Sequence, residues 1–130
     1  MAKARIMIID DEPDFLELTK MNLEGTGQFE VMALSGAKEL SASLRSFKPE
    51  LILLDLLMPG IGGVEVCEIL NKDPVGQGVP VIVVSALNNT VDRQSVFRQG
   101  IVDYIVKPVE KDELVIRIQK ALQNKYGTVD

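Results

Sequence analysis

Histidine is absent from this 130-residue chain. Its absence excludes a Ser-His-Asp triad, a histidine-ligated zinc and a phosphohistidine carried by the chain itself. If phosphate passes through histidine, a partner must supply it. Cysteine occurs once, at Cys67, so no internal disulfide can form. Its place beside Val64 and Leu70 in a helical pattern predicts a small buried side chain with no chemical role. No apolar run approaches the roughly 20 residues that span a bilayer, so neither a transmembrane helix nor a membrane partner is expected. Met1 is followed by Ala2-Lys3-Ala4-Arg5 and a very short apolar run that ends in acids, unlike the long apolar region of a secretion signal. A cytoplasmic location is therefore the expectation. Positive charge is scarce too: 14 Lys and Arg against 19 Asp and Glu leave a net charge of −5. That balance argues against direct nucleic-acid binding by this domain, because neutralising phosphates takes clustered cations.

What is present reads as a single domain, with a hydrophobic content of 46% and a charged content of 25%. The first strand, Arg5 to Ile9, stops at Asp10-Asp11-Glu12-Pro13, an acidic cluster with a proline suited to a first helical turn. A helix then carries Phe15, Leu16, Thr19 and Leu23 on one face, and Gly25-Thr26-Gly27 ends it. Phe29 to Leu34 forms a second strand whose Glu30 predicts an edge position. A second helix shows Ala37, Leu40 and Leu44 on one stripe. The third strand, Leu51 to Leu54, is apolar on both faces and runs into Asp55. Pro59-Gly60-Ile61-Gly62-Gly63 then reads as a flexible turn into a helix from Val64 to about Asn71. It is no dinucleotide fingerprint, since Glu65 stands where a glycine is needed. The fourth strand, Val81 to Val84, ends in Ser85. Asn89 with Asp92 predicts a capped helix closed by Gly100. Tyr104 to Val106 makes a fifth strand running into Lys107-Pro108, and the last helix repeats Leu114, Val115, Ile118, Ala121 and Leu122.

Strands alternating with helices in this way predict an α/β fold: an open, doubly wound, five-stranded parallel sheet with helices on both faces. The folded domain is expected over residues 1–125, with 126–130 a frayed end or the start of a linker. In such a sheet the carboxyl ends of all strands share one edge, where ligands bind. Four strands deliver chemistry to it: Asp10-Asp11, Asp55, Ser85 and Lys107. An ionised carboxylate cannot stay inside an apolar strand without partners, so Asp55 marks the point where the sheet opens to a site. Carboxylates crowded there repel one another unless a cation offsets them. Magnesium, a hard ion that takes oxygen ligands, suits that role, and Lys107 adds a fixed positive charge. With the Ser85 hydroxyl, these groups could stabilise a phosphoryl group passing to Asp55.

In these residues the chain resembles, over essentially its full length, a receiver domain of a two-component response regulator, of the chemotaxis-regulator kind. The matching features are Asp10-Asp11, the segment Asp55-Leu56-Leu57-Met58-Pro59-Gly60, Ser85-Ala86, Gly100 to Tyr104, and Lys107-Pro108. The resemblance implies a flavodoxin-like strand order, 2-1-3-4-5. It implies that Asp55 accepts the phosphoryl group from a histidine kinase or histidine phosphotransfer protein, and that the domain is a signalling phosphoacceptor rather than a turnover enzyme. Asp11, Asp55 and the Leu57 carbonyl would ligate magnesium, with Asp10 acting mainly through a bound water. Lys107 would contact the phosphoryl group across a cis bond to Pro108, and Ser85 and Tyr104 would form a switch pair. The switch would change affinity for an output domain or partner protein through the face of the fourth helix, fifth strand and fifth helix, and homodimerisation on phosphorylation is a further expectation. Leu57 and Leu87, which flank the phosphoryl position in this family, carry no polar group to orient water. Slow self-dephosphorylation is implied, and a polar pair there should shorten the lifetime in a time course of phosphate loss.

Two readings of other classes stay open. A magnesium-dependent phosphohydrolase with an aspartyl nucleophile would share the carboxylates, although one common group has a second aspartate where Leu57 stands. Turnover of phosphate esters separates the two. An interaction module independent of phosphorylation would keep its partner when Asp55 becomes Asn.

Overall fold

In a computed structural model the chain is described over residues 2–58, 62–86 and 100–127. Among these residues five strands and four helices follow in the order β1 (Ala4–Ile9), α1 (Pro13–Glu24), β2 (Phe29–Leu34), α2 (Leu40–Phe47), β3 (Leu51–Leu54), α3 (Gly63–Lys72), β4 (Val81–Ser85), β5 (Ile101–Val106) and a C-terminal helix (Lys111–Tyr126). All strand pairs are parallel, and the sheet order is β2-β1-β3-β4-β5, as the resemblance implied. The expected helix at Asn89 and Asp92 lies outside the described residues.

The central strands read as continuous apolar runs because both of their faces are covered. Met7, Ile9, Ile52, Leu54 and Val83 pack with Leu40, Leu44, Val66 and Leu70 of α2 and α3. Ile6, Ile8, Leu51, Leu53 and Val84 pack on the other face with Leu16 and Leu23 of α1 and Leu114 and Ile118 of the C-terminal helix. Burying each such aliphatic side chain stabilises the fold by about 2 kcal/mol. In the helices the pattern is a stripe. Leu16, Thr19 and Leu23 recur at helical spacing on α1, which Pro13 opens at its first turn. Cys67 is buried among the α3 core residues, and the same burial lifts its thiol to about 11, which keeps it protonated and inert.

Several boundaries differ from those read in the sequence. β5 begins at Ile101 rather than Tyr104, because Ile101 pairs with Val81. The next pairing is Ile82 with Asp103, so Val102 is an extra residue, a β-bulge, and it is half exposed. Ser85 lies inside β4 and is fully buried. Ala37 precedes α2 and packs against the core from the loop. The C-terminal helix continues through Tyr126, whose hydroxyl donates to the Glu50 carbonyl at 2.8 Å.

Within the loop read as flexible, Gly63 is fixed by contact; Pro59, Gly60 and Ile61 lie outside the described residues. A Cβ at Gly63 would lie 2.6 Å from Leu56 Cα and 2.8 Å from the Asp55 carbonyl oxygen. Glycine is required there because α3 starts directly against the end of β3, with the Gly63 N–H donating to the Leu56 carbonyl at 3.2 Å.

Candidate functional site

Backbone pairing carries the strand ends to a common level. The Asp10 N–H donates to Leu34, the Asp55 N–H to Ile9 and the Lys107 N–H to Ser85, each to the main-chain carbonyl at 2.9–3.0 Å. Residues 45 and 52 positions apart in the chain thereby become neighbours. Asp10, Asp11 and Asp55 each place a carboxylate oxygen within 4.8 Å of the others. Asp10 and Asp55 are buried, and Asp11 is half-buried. At that separation each pair of like charges repels by on the order of 3 kcal/mol at an effective dielectric of about 20.

Among the described residues, one cation is paired with this cluster. Lys107 Nζ lies 2.8 Å from Asp10 Oδ2 and 3.6 Å from Asp55 Oδ2, and it also meets the Glu12 carboxylate. The ammonium rests 4.2 Å from the centroid of the Phe15 ring, a cation–π contact that holds it from below. The Lys107–Pro108 bond is cis, as the resemblance implied. The first aspartate and Asp55 are each fixed through their second oxygen: Asp10 Oδ1 accepts the Glu12 N–H at 2.9 Å, and Asp55 Oδ1 accepts the Leu57 N–H at 3.0 Å.

The electrostatics follow from burial and sharing. Desolvation raises the Asp10 carboxyl above its ordinary value and outweighs the opposing hydrogen bonds from Lys107 and the Glu12 amide. Burial alone would lower the Lys107 ammonium, but its bonds to Asp10 and Glu12 and the charges of Asp10 and Asp55 carry it above the ordinary lysine value. Lys107 is therefore firmly charged, and the carboxylates around it outnumber it.

A hard cation fits the remaining excess. The three aspartates offer only oxygen donors, close enough to share one ion, and two of them are drawn out of water. Such a donor set fits magnesium and does not fit a soft thiophilic metal.

Of the other residues picked out in the sequence, Ser85 is fully buried at the end of β4, paired in register with Val106 next to Lys107. Tyr104 is buried on the sheet face covered by α2 and α3, opposite Val83. Leu57 is half exposed, and Leu87 lies outside the described residues. Two residues at the site carried no individual role in the sequence reading. Glu12 read as one more acid at a helix start, and Phe15 as an apolar position on α1. The signal for Glu12 was its place two residues beyond Asp10, where the chain turns back over the strand ends.

Comparisons with known proteins agree with this geometry. A family model described as the response regulator receiver domain matches residues 6–119. The DNA-binding response regulator MtrA of Mycolicibacterium smegmatis is 34% identical over 121 residues, covering 93% of this chain and 51% of that protein. RpaA of Synechocystis, a DNA-binding dual master transcriptional regulator, is 34% identical over 119 residues, covering 92% of this chain and 49% of that protein. The chain thus spans about half the length of these curated relatives. A CheY-like receiver domain protein from Methanospirillum hungatei superposes with a TM-score of 0.87 at 29% identity, covering 95% of this chain and 97% of that one. The chemotaxis protein CheY4 of Vibrio cholerae gives 0.86 at 20% identity over 92% of this chain and 99% of that one, a likeness of fold.

Proposed function

Because this chain belongs to the response regulator receiver domain family of two-component systems, we propose that it takes a phosphoryl group onto Asp55 and carries it as a signal. One observation supports this above the others. Asp55 is a buried carboxylate at the end of an apolar strand, 3.6 Å from a charged lysine and within 4.8 Å of two more carboxylates.

An Asp55 carboxylate oxygen attacks phosphorus, forming the acyl phosphate P–O bond. The donor's P–N bond, in a partner's phosphohistidine, or P–O bond, in a small acyl phosphate, breaks and keeps its electron pair on the leaving group. The Asp55 oxygen attacks as a carboxylate, so the step asks for position and charge rather than proton removal. Lys107 supplies a positive charge to the phosphoryl oxygens, and the Ser85 hydroxyl donates to one of them. Asp11, Asp55 and the Leu57 carbonyl, with Asp10 mainly through a bound water, would hold magnesium. When bound, the ion offsets the negative charge of the carboxylates and of the incoming group.

Phosphorylation turns Asp55 from an anion among anions into the anchor of a phosphoryl group, which rebalances two conformations of the domain. Ser85 and Tyr104 carry that change to the face formed by β5, the C-terminal helix and the helix expected before β5. The reader of that face is an output domain or a separate protein. The relatives named as DNA-binding are about twice this length, which makes a DNA-binding output one form that the reader takes.

Intact-mass measurement after incubation with magnesium and acetyl phosphate tests the reading. The wild-type chain should gain one phosphoryl group, and Asp55→Asn should gain none. Equal labelling of the variant would overturn the assignment to Asp55, and no labelling of either would overturn the function.

A further inference from the structure

Glu12 stands apart from the three carboxylates that could share a metal, yet it holds the same lysine. Its side chain is 60% exposed, while that of Lys107 is 13% exposed. A lysine ammonium has three N–H donors. Asp10 takes one at 2.8 Å and Glu12 takes a second in a shorter contact, whereas Asp55 lies at 3.6 Å, beyond ordinary hydrogen-bond range. The Phe15 ring closes a further side. Lys107 thus hydrogen-bonds to Asp10 and Glu12 and meets Asp55 Oδ2 only in a longer ion pair.

Glu12 is also held ready for this contact. Its main-chain N–H donates to Asp10 Oδ1 at 2.9 Å, and its carbonyl accepts the Leu16 N–H at 3.1 Å as α1 begins. The side chain therefore leaves from a fixed point beside the buried pair.

Resting on the reading of Asp55 as phosphoacceptor, we propose that Glu12 is a positioning residue, a latch that keeps Lys107 withdrawn from Asp55 in the unphosphorylated protein and so slows the gain of phosphate. To reach a phosphoryl oxygen the ammonium must let go of Glu12. The contact exists before transfer and is gone afterwards, so Glu12 governs entry into the phosphorylated state and leaves exit untouched. This differs from a general effect of negative charge near the site, which would act on any anionic donor from any nearby acid.

The test compares the wild type, Glu12→Gln and Asp14→Asn with acetyl phosphate and magnesium, following phosphoryl mass with time and then its loss after the donor is removed. Asp14 is an exposed acid on the first turn of α1 and serves as the control for charge alone. Glu12→Gln should gain phosphate about three- to fivefold faster, the scale of one partly exposed ion pair. Its rate of loss should match wild type, and Asp14→Asn should match wild type in both directions. Glu12→Asp, which keeps the charge on a shorter arm, should fall between the wild type and Glu12→Gln. An unchanged or slower gain in Glu12→Gln overturns the latch, as does equal acceleration in Asp14→Asn or a parallel change in the rate of loss. If the wild type itself gains no phosphoryl mass, the phosphoacceptor reading falls and the latch with it; if the wild type labels and Glu12→Gln shows no gain in rate, the latch alone falls.

Discussion

The two ends of α3 each meet a buried carboxylate, and they treat it in opposite ways. At the first turn, Gly63 presses against Asp55 and Leu56, and Asp55 shares one lysine with Asp10 and Glu12. Past the last turn stands Asp73, 8% exposed and provided for on every side. Its Oδ1 accepts the N–H groups of Val75 at 2.8 Å and Gly76 at 3.2 Å, and its Oδ2 pairs with Arg45 at 3.2 Å. The Val75 hydrogen bond leads the causes that hold the Asp73 carboxyl below its ordinary value. Asp10, in the cluster at the other end, is raised. A buried acid with both its oxygens hydrogen-bonded is a fastener for the loop it sits in. A buried acid short of cations stores repulsion that a bound cation or a change of charge can release.

The largest break in this contrast should come from Gly63→Ala, which adds a methyl group where backbone atoms lie under 3 Å away. Unfolding in urea should show a loss of about 3 kcal/mol, the upper end of ordinary overpacking. A loss under about 1 kcal/mol would mean that the α3 start can back away from Asp55 freely.

Asp73→Asn should come next, destabilising the fold by less than Gly63→Ala. A folded-state value below the unfolded one means that Asp73 contributes stability above the unfolded-chain value near pH 4, and that this contribution is lost as pH falls through the lower, folded value. Melting temperatures of wild type and Asp73→Asn should therefore differ at neutral pH and converge in acid. A gap that stays constant with pH would contradict the charge-based account.

Asp55→Asn should do the reverse and produce the smallest change. Without metal it should leave stability unchanged or raise it by up to about 1 kcal/mol, since a charge leaves a crowded cluster while the amide oxygen can keep the Leu57 N–H. Magnesium at ten times its dissociation constant should stabilise the wild type by about 1.4 kcal/mol and the variant by less. Calorimetry with and without the ion checks both statements. A strongly destabilised Asp55→Asn would place this acid in the same class as Asp73.

The sequence carried much of this site and little of the contrast. Asp10, Asp55 and Lys107 were legible because each follows an apolar strand, and parallel topology puts every such end on one edge. Glu12 was hidden, since an acid before a proline at a helix start has a sufficient local explanation. Asp73 was hidden for a different reason: its partners are two backbone amides and an arginine 28 residues away, and amides leave no mark in a sequence. Gly63 read as slack because glycine signals freedom and close approach alike, and only the neighbouring backbone separates the two meanings.

The extra residue in β5 settles a matter of parity. Strand side chains alternate, so two positions an even number apart share a side. Ile101 and Tyr104 are an odd number apart, yet both meet the core under α2 and α3, because Val102 is counted once in the chain and not at all in the pairing. Were Val102 paired with Ile82 instead of bulged out, Tyr104 would sit opposite Val84, among the side chains that α1 and the C-terminal helix cover. One uncounted residue thus decides which half of the molecule this tyrosine belongs to.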